Sequence, residues 1–343
     1  MPGGLSEYSG LVTKTKTMHG RLLKPEDYVR ISEYETVEEF ITFLRESEGY
    51  GEVFFNREGI AHRGQVETII GDALYMDYRK LYRFAGVKPR EALDIIFFRY
   101  ETNFLQDCLQ RAVNGGEREP KRPGPFFEAH ACYDAAAAIA AGSIQELAAA
   151  VEGTRFAALL GSFSSEAAGY ADKAFALDVY YYKNAWRMTG KLRDKTLRRI
   201  MREILGTKID WLNIMWMYRF KRFYSVSREE LAAHVIPVRL RLTAAEIQAL
   251  LEAPGVDEYT ELVGRTVYLK GKDGAAGLGE ELTWQKIMQR SYEQVCKKYP
   301  MSIAPVLKYL SEREREIDRL TTALEGIRYR LPAKEIRELI LTA

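Results

Sequence analysis

Four histidines and three cysteines are the side chains best suited to bind a metal or attack a substrate, and their spacing supports neither. His19, His62, His130 and His234 are scattered. None stands in a His-Glu-x-x-His or Glu-x-x-His pattern, so zinc-protease and di-iron helix-bundle chemistry lack ligands. Each reads as a satisfied or solvated imidazole. Cys108, Cys132 and Cys296 include no Cys-x-x-Cys pair, and their odd total reads as reduced, buried thiols of a cytosolic protein. Gly274-Ala-Ala-Gly277-Leu-Gly279 is glycine-rich but does not match Gly-x-x-x-x-Gly-Lys-[Ser/Thr] and follows no clear strand, so it reads as a loop. There is no Gly-x-Ser-x-Gly elbow and no Asp-rich pair for magnesium diphosphate. In Ser311 to Asp318, Glu312/Glu316 and Glu314/Asp318 share helix faces that would attract a cation. The interleaved Arg313 and Arg315 argue instead for a solvated, salt-bridged face. No catalytic residue, metal ligand or cofactor site is assigned.

Basic residues at the ends of apolar segments invite a different chemistry. Arg111, Arg219, Lys221, Arg222, Arg328 and Arg330 stand where they would dock an acidic helix or loop of a partner. They equally suit complementation of helix C-terminal dipoles. Over 343 residues, 50 basic against 48 acidic side chains leave a net charge of +2, which gives no reason to expect nucleic acid. A hydrophobic fraction of 47% with 29% charged residues suits a globular chain with a sizeable core. The sequence points to no small-molecule substrate. MPGGLSEYSG lacks the charged and apolar regions of a signal peptide, and no apolar run approaches the ~18 residues of a membrane span.

The elements that must position these residues read as nearly all helical. Leu197 to Tyr224 dominates: Ile200, Met201, Ile204 and Leu205, a predicted break at Gly206-Thr207, then Ile209, Trp211, Leu212, Ile214, Met215, Trp216, Met217, Tyr218 and Phe220. Apolar nearly all round, such a helix is buried. Ser225 to Leu242, with Ile236-Pro237, reads as a connector. Val53–Phe55 and Val267–Leu269 are the only candidate strands, without partners.

Three [Ser/Thr]-x-x-Glu capping boxes, at Thr36, Ser143 and Thr243, stand 143−36 = 107 and 243−143 = 100 residues apart. Apolar positions keep register behind them: Val37/Ile144/Ala244, Phe40/Leu147/Ile247 and Leu44/Val151/Leu251. Asn103, Asp210 and Asp318 fall at matching places, 107 and 108 apart (210−103, 318−210), with Asn213 beside the second. Three helical units of about a hundred residues suggest a ring, funnel or short superhelix. The expected division is a first repeat over 1–118, a linker over 119–125, a second repeat over 126–224 and a third over 225–343.

At this point the residues resemble a family. SEREREIDRLTTALEGIRYRLPAKEIRELIL at the C-terminus is similar to the end of the C subunit of V/A-type ATPases, equivalent to the d subunit of the eukaryotic V-ATPase. TKIDWLNIMWMYR resembles that family's middle motif, with Asp210, Asn213 and Arg219 in place. FFRYETNFLQDCLQ, YSGLVTKTKTMHGRLL and GYGEVF fit as well. The Asn…Arg pattern is intact only in the middle. The first copy keeps Asn103 but has Leu109 for the Arg, and the third has Arg319 and Glu325. The resemblance implies an all-α, pseudo-threefold funnel of three similar helical domains on the cytoplasmic face of a membrane rotor ring. It implies that the central shaft subunits plug into the cavity, so that the chain couples ATP synthesis or hydrolysis to H⁺ or Na⁺ movement without catalysing either. Two other readings of the residues are a helical-repeat adaptor of another assembly and an enzyme holding a metal between Glu312 and Asp318.

Overall fold

Serine, threonine and aspartate side chains start the helices by accepting from backbone N–H groups that have no partner inside the helix. Thr36 and Thr243 form complete boxes with Glu39 and Glu246. Ser143 accepts from the Glu146 N–H, while the Glu146 carboxylate reaches back to the Gly142 N–H instead. A fourth box, Ser227 with Glu230, stands in the expected connector and makes part of it helical.

The computed structural model describes residues 3–55, 63–114, 123–163, 169–224, 227–270, 278 and 281–342. Among them the chain forms helices and no strand. In order these are α1 (Gly3–His19), α2 (Pro25–Ser32), α3 (Val37–Glu46), α4 (Gly51–Phe54), α5 (Arg63–Phe84), α6 (Val87–Asn114), α7 (Pro125–His130), α8 (Ala135–Ala140), α9 (Ile144–Ala150) and α10 (Ala157–Phe163). They continue as α11 (Tyr170–Lys191), α12 (Lys195–Phe223), α13 (Arg228–Ala233), α14 (Ala244–Glu252), α15 (Val256–Arg265), α16 (Glu281–Lys298), α17 (Ala304–Arg328) and α18 (Ala333–Thr342).

Both candidate strands are corrected. Val53 lies in α4, and Val53–Phe55 satisfies its backbone locally through bonds such as Val53 N–H to Tyr50 carbonyl, 2.9 Å. Val267–Leu269 is a turn closed by Lys270 N–H onto Thr266 carbonyl, 2.8 Å. The predicted break at Gly206-Thr207 is also absent, because α12 runs through it. A Cβ at Gly206 would stand 2.7 Å from the Leu240 Cβ, so the glycine admits a close neighbour without ending the helix. The predicted linker and the loop Gly271–Gly279 lie largely outside the described residues. Leu278 is described and is buried.

The chain divides into two compact units, residues 1–178 with 309–343, and residues 179–308. The first has a core in which the two ends of the sequence meet. Ile31, Phe40, Leu44 and Tyr50 pack with Leu320, Leu324, Ile327, Ile336 and Ile340. It also holds an aromatic cluster, Tyr75, Tyr78, Phe97, Tyr100, Phe104 and Phe127, with ring centroids 5.1–6.4 Å apart. Edge-on and tilted pairs of this kind add to the area they bury. The second unit packs α14, α15 and α16 on the apolar face of α12 through Trp211, Ile214, Leu251, Tyr259, Val263 and Ile287.

Candidate functional site

Three long helices each bury an acid, and each acid receives the backbone of a connecting segment. On α12, Asp210 is fully buried. It accepts the N–H groups of Leu240 (3.0 Å), Arg241 (2.7 Å) and Leu242 (3.1 Å), and the Tyr268 hydroxyl (2.7 Å). Those four donors match the acceptor capacity of one carboxylate. One turn on, Asn213 mimics a backbone: its Nδ2 donates to the Ile236 carbonyl (3.0 Å) and its Oδ1 accepts from the Ile236 N–H (2.8 Å). Lys221 ends the ledge, donating to the carbonyls of Leu251 (3.0 Å) and Ala253 (2.7 Å). Its desolvation there lowers its pKa.

On α6 the corresponding acid is Glu101, 1% exposed. Its carboxylate accepts the Cys132 N–H (2.7 Å), and its own carbonyl accepts the Tyr133 hydroxyl (2.8 Å). Arg111, ten residues on, donates to the Ile139 carbonyl at 2.6 Å. On α17 it is Glu316, accepting the Leu23 N–H (2.6 Å) and the Tyr50 hydroxyl (3.0 Å). Buried Arg313 completes this cluster. It contacts Glu316 (2.5 Å), pairs with Asp77 (3.1 Å), donates to the Gly49 carbonyl (2.8 Å) and stacks 4.2 Å over the Tyr50 ring. Tyr309 donates to the same Asp77 at 2.6 Å. Gly49 is required here, since a Cβ would meet the Arg21 carbonyl oxygen at 2.7 Å.

The acids stand 210−101 = 109 and 316−210 = 106 residues apart. The sequence pattern marks Asp210 and Asn213, and the buried acids on α6 and α17 stand two residues before the Asn103 and Asp318 that it pairs with them. Asn103 and Asp318 are exposed. Burial was the missing signal: Glu101 and Glu316 lie on the apolar faces of their helices, where an acid costs energy unless it is hydrogen-bonded. The solvated face read into Ser311 to Asp318 is likewise corrected. Arg313 and Glu316 are interior, and Glu314 accepts the Tyr100 hydroxyl at 2.8 Å. Among the described residues no group of three His, Cys, Asp or Glu side chains is placed to hold a metal.

The basic positions separate into two sets. Arg111 and Lys221 are used inside the fold, closing the ends of short helices. Arg219 and Arg222 are exposed at the end of α12 beside Phe223 and Tyr224, which are 67% and 63% exposed. Arg328 and Arg330 are exposed at the end of α17. Arg330 adopts a positive φ of 55°, and the Leu331 N–H returns to the Gly326 carbonyl (3.0 Å), so its backbone stops the helix. His19 contacts Glu312 at 2.9 Å, and His130 stacks on Phe126 at 3.9 Å. Burial pushes the Cys108 thiol up to about 12 and the Cys132 thiol up to about 11, and all three cysteines are unbridged.

Burial also raises the Glu101 carboxyl above its ordinary 4.5, more than Arg155 and the Cys132 N–H lower it. A folded acid with a raised pKa holds its proton where the unfolded chain has lost it, so its contribution falls as pH rises through that interval. Glu101→Gln is therefore expected to be at least as stable as the parent at neutral pH. The difference between the two should shrink as pH falls toward 4.5. Urea unfolding at a series of pH values measures it, and a difference independent of pH would rule the effect out.

Comparison with known proteins adds the context. The chain is 24% identical to the C subunit of an A-type ATP synthase from Archaeoglobus fulgidus, covering 99% of this chain and 98% of the relative. It is 22% identical to that of Methanosarcina mazei (94% and 89%) and 21% identical to that of Thermococcus kodakarensis (97% and 90%). No described helix is long and apolar enough to cross a membrane. Residues 11–339 match the family described as ATP synthase (C/AC39) subunit, and the chain belongs to that family.

Proposed function

We propose that the chain is the non-catalytic central-stalk subunit of a rotary V/A-type ATPase, peripheral to the cytoplasmic face of the membrane. In this reading it is a socket that receives the central shaft subunits and seats on the membrane rotor ring, coupling ATP synthesis or hydrolysis to H⁺ or Na⁺ movement. The observation that carries it is the match over residues 11–339, together with relatives named as the C subunit of A-type ATP synthases that align over most of both chains.

The repeats fit the reading. Each buried acid marks one copy of a unit: a long helix, a set of short helices and a second long helix. The copies begin with α6, α12 and α17, and the last continues through α18 into α2–α5. In the socket reading these three copies are the three parts of the funnel. A part that carries torque must not yield at its joints, and buried carboxylates hydrogen-bonded to the connecting backbone supply stiff joints where helices meet connectors.

The exposed basic end of α12 is the contact for an acidic partner surface. Purified protein should bind shaft and ring preparations and hydrolyse no ATP alone. Failure to bind either would count against the socket. The double variant Arg219→Glu/Arg222→Glu should keep its melting temperature, associate more slowly and lose much of the salt dependence of association. Unchanged rate and salt slope would remove the basic end from the interface.

A further inference from the structure

The second unit contains a cavity of about 110 Å³ that the socket reading does not use. Its floor is made by buried Thr207, Tyr268 and Ser291, and its rim by exposed Arg241, Arg290 and Gln294. Ser291 sits in the middle of α16 and is 5% exposed. Hydroxyls in that setting usually return a bond to the carbonyl one turn back. Thr15 does so to Leu11 (2.7 Å) and Thr102 to Phe98 (2.8 Å). Ser291 Oγ makes no such bond and has no protein partner among the described residues. Thr207 Oγ1 lies beside the Tyr268 hydroxyl without a hydrogen bond of normal geometry. Buried hydroxyls left this way are costly unless something else fills their capacity.

The lining fixes the chemistry of what would fill it. No carboxylate lines the cavity; its polar lining is two guanidinium groups, an amide and three hydroxyls, of which that of Tyr268 is given to Asp210. The nearby acids are already engaged. Asp210, beneath Tyr268, is saturated by four donors, and Glu203 takes one arm of Arg241. Arg290 and the other arm of Arg241 supply positive charge at the mouth. A guanidinium fork with hydroxyl donors matches tetrahedral oxygens. Water occupies roughly 30 Å³, so the space takes a single tetrahedral oxyanion.

We propose that this cavity is a binding site for a phosphate group, held by Arg241 and Arg290 at the mouth and by Ser291 and Thr207 at the floor. Two sources share the chemistry, inorganic phosphate and the headgroup of an anionic phospholipid. The test uses the full chain, inorganic phosphate as probe and chloride at matched ionic strength as control. Phosphate is expected to broaden its own ³¹P resonance saturably and to raise the melting temperature. Arg290→Gln and Ser291→Ala should each weaken binding about tenfold, the loss expected for one charge-assisted or buried hydrogen bond. Without phosphate, Ser291→Ala should melt at the same temperature or higher, because it removes an unsatisfied buried hydroxyl. Capture of the parent by phosphatidate vesicles, lost in Arg290→Gln, would assign the headgroup as the source. Saturable free-phosphate binding without capture would assign the free ion. The proposal fails if neither probe binds beyond the chloride control, or if both variants respond as the parent does.

Discussion

Replacing Arg313 by alanine is expected to destabilise the first unit by about 3–5 kcal/mol, the usual cost of removing one member of a buried ion pair. The arginine is 1% exposed and faces Asp77, Glu316, the Gly49 carbonyl and the Tyr50 ring. Burial works against its charge, yet Tyr50, Asp77 and Glu316 hold its pKa above the ordinary value. Without it, two carboxylates share a space from which water is largely excluded, and the Gly49 carbonyl loses its donor. Burial already raises the Glu316 carboxyl, and only Arg313 and its hydrogen bonds to Leu23 and Tyr50 oppose that. The cluster also ties sequence-distant segments together, since Leu23 and Glu316 are 293 residues apart. Loss of the arginine should therefore expose the α1–α2 connection to protease before the rest of the unit opens. Arg313→Met with Glu316→Gln should recover part of the loss, because the glutamine oxygen still accepts the Leu23 N–H, its amide donates to the Tyr50 hydroxyl oxygen, and the one charge left behind, on Asp77, keeps Tyr309 and Lys80 as partners. Urea unfolding of the parent and both variants decides it. A loss below about 1 kcal/mol for the single variant is what an exposed pair gives, and would return Arg313 to the solvated face its neighbours in the sequence imply.

Local signals in the sequence predict helices well and burial poorly. A Ser or Thr three residues before a Glu announces a helix start from side-chain chemistry alone, and Thr36, Ser143 and Thr243 all serve as N-caps. The same rule applied to Ser227 finds a fourth start, so the boxes alone do not count the repeats. Asp210 and Asn213 are legible because they interrupt an unbroken apolar run, where a polar side chain needs an internal partner. Glu101 and Glu316 are not, because their neighbours include Arg99, Asn103, Arg315 and Asp318, and a charged neighbourhood looks solvated in one dimension. What buries them comes from far along the chain: Tyr133 and Cys132 for one, Leu23 and Tyr50 for the other. The same reasoning divides the basic positions. Arg111 and Lys221 find carbonyls 28 to 32 residues ahead, which no reading of their own helix could supply.

Asp210→Ala is the second large effect expected, and it tests whether the acids hold the connectors in place. The change strands four donors. The N–H of Leu242 and the hydroxyl of Tyr268 are buried, while the N–H groups of Leu240 and Arg241 are only partly so and can turn to water. Each buried orphan costs about 1–3 kcal/mol, which sets the expected loss near 4 kcal/mol. Asp210→Asn should lose less. With its oxygen at the position that takes Arg241, Leu242 and Tyr268, only the Leu240 N–H meets a donor instead of an acceptor. Tyr268→Phe removes one donor and leaves the carboxylate with three, so about 1 kcal/mol is expected. The order Ala, then Asn, then Phe is the signature of an acid whose work is accepting backbone bonds. A purely electrostatic role would instead make Asn as damaging as Ala. Amide hydrogen exchange gives the local readout. In Asp210→Ala the amides of residues 240–242 should exchange faster than in the parent, while the Ile236 amide, held by Asn213 at 2.8 Å, stays slow. Slow exchange at all of them would mean that the connector is held by packing around Gly206 and Leu240 and not by the carboxylate.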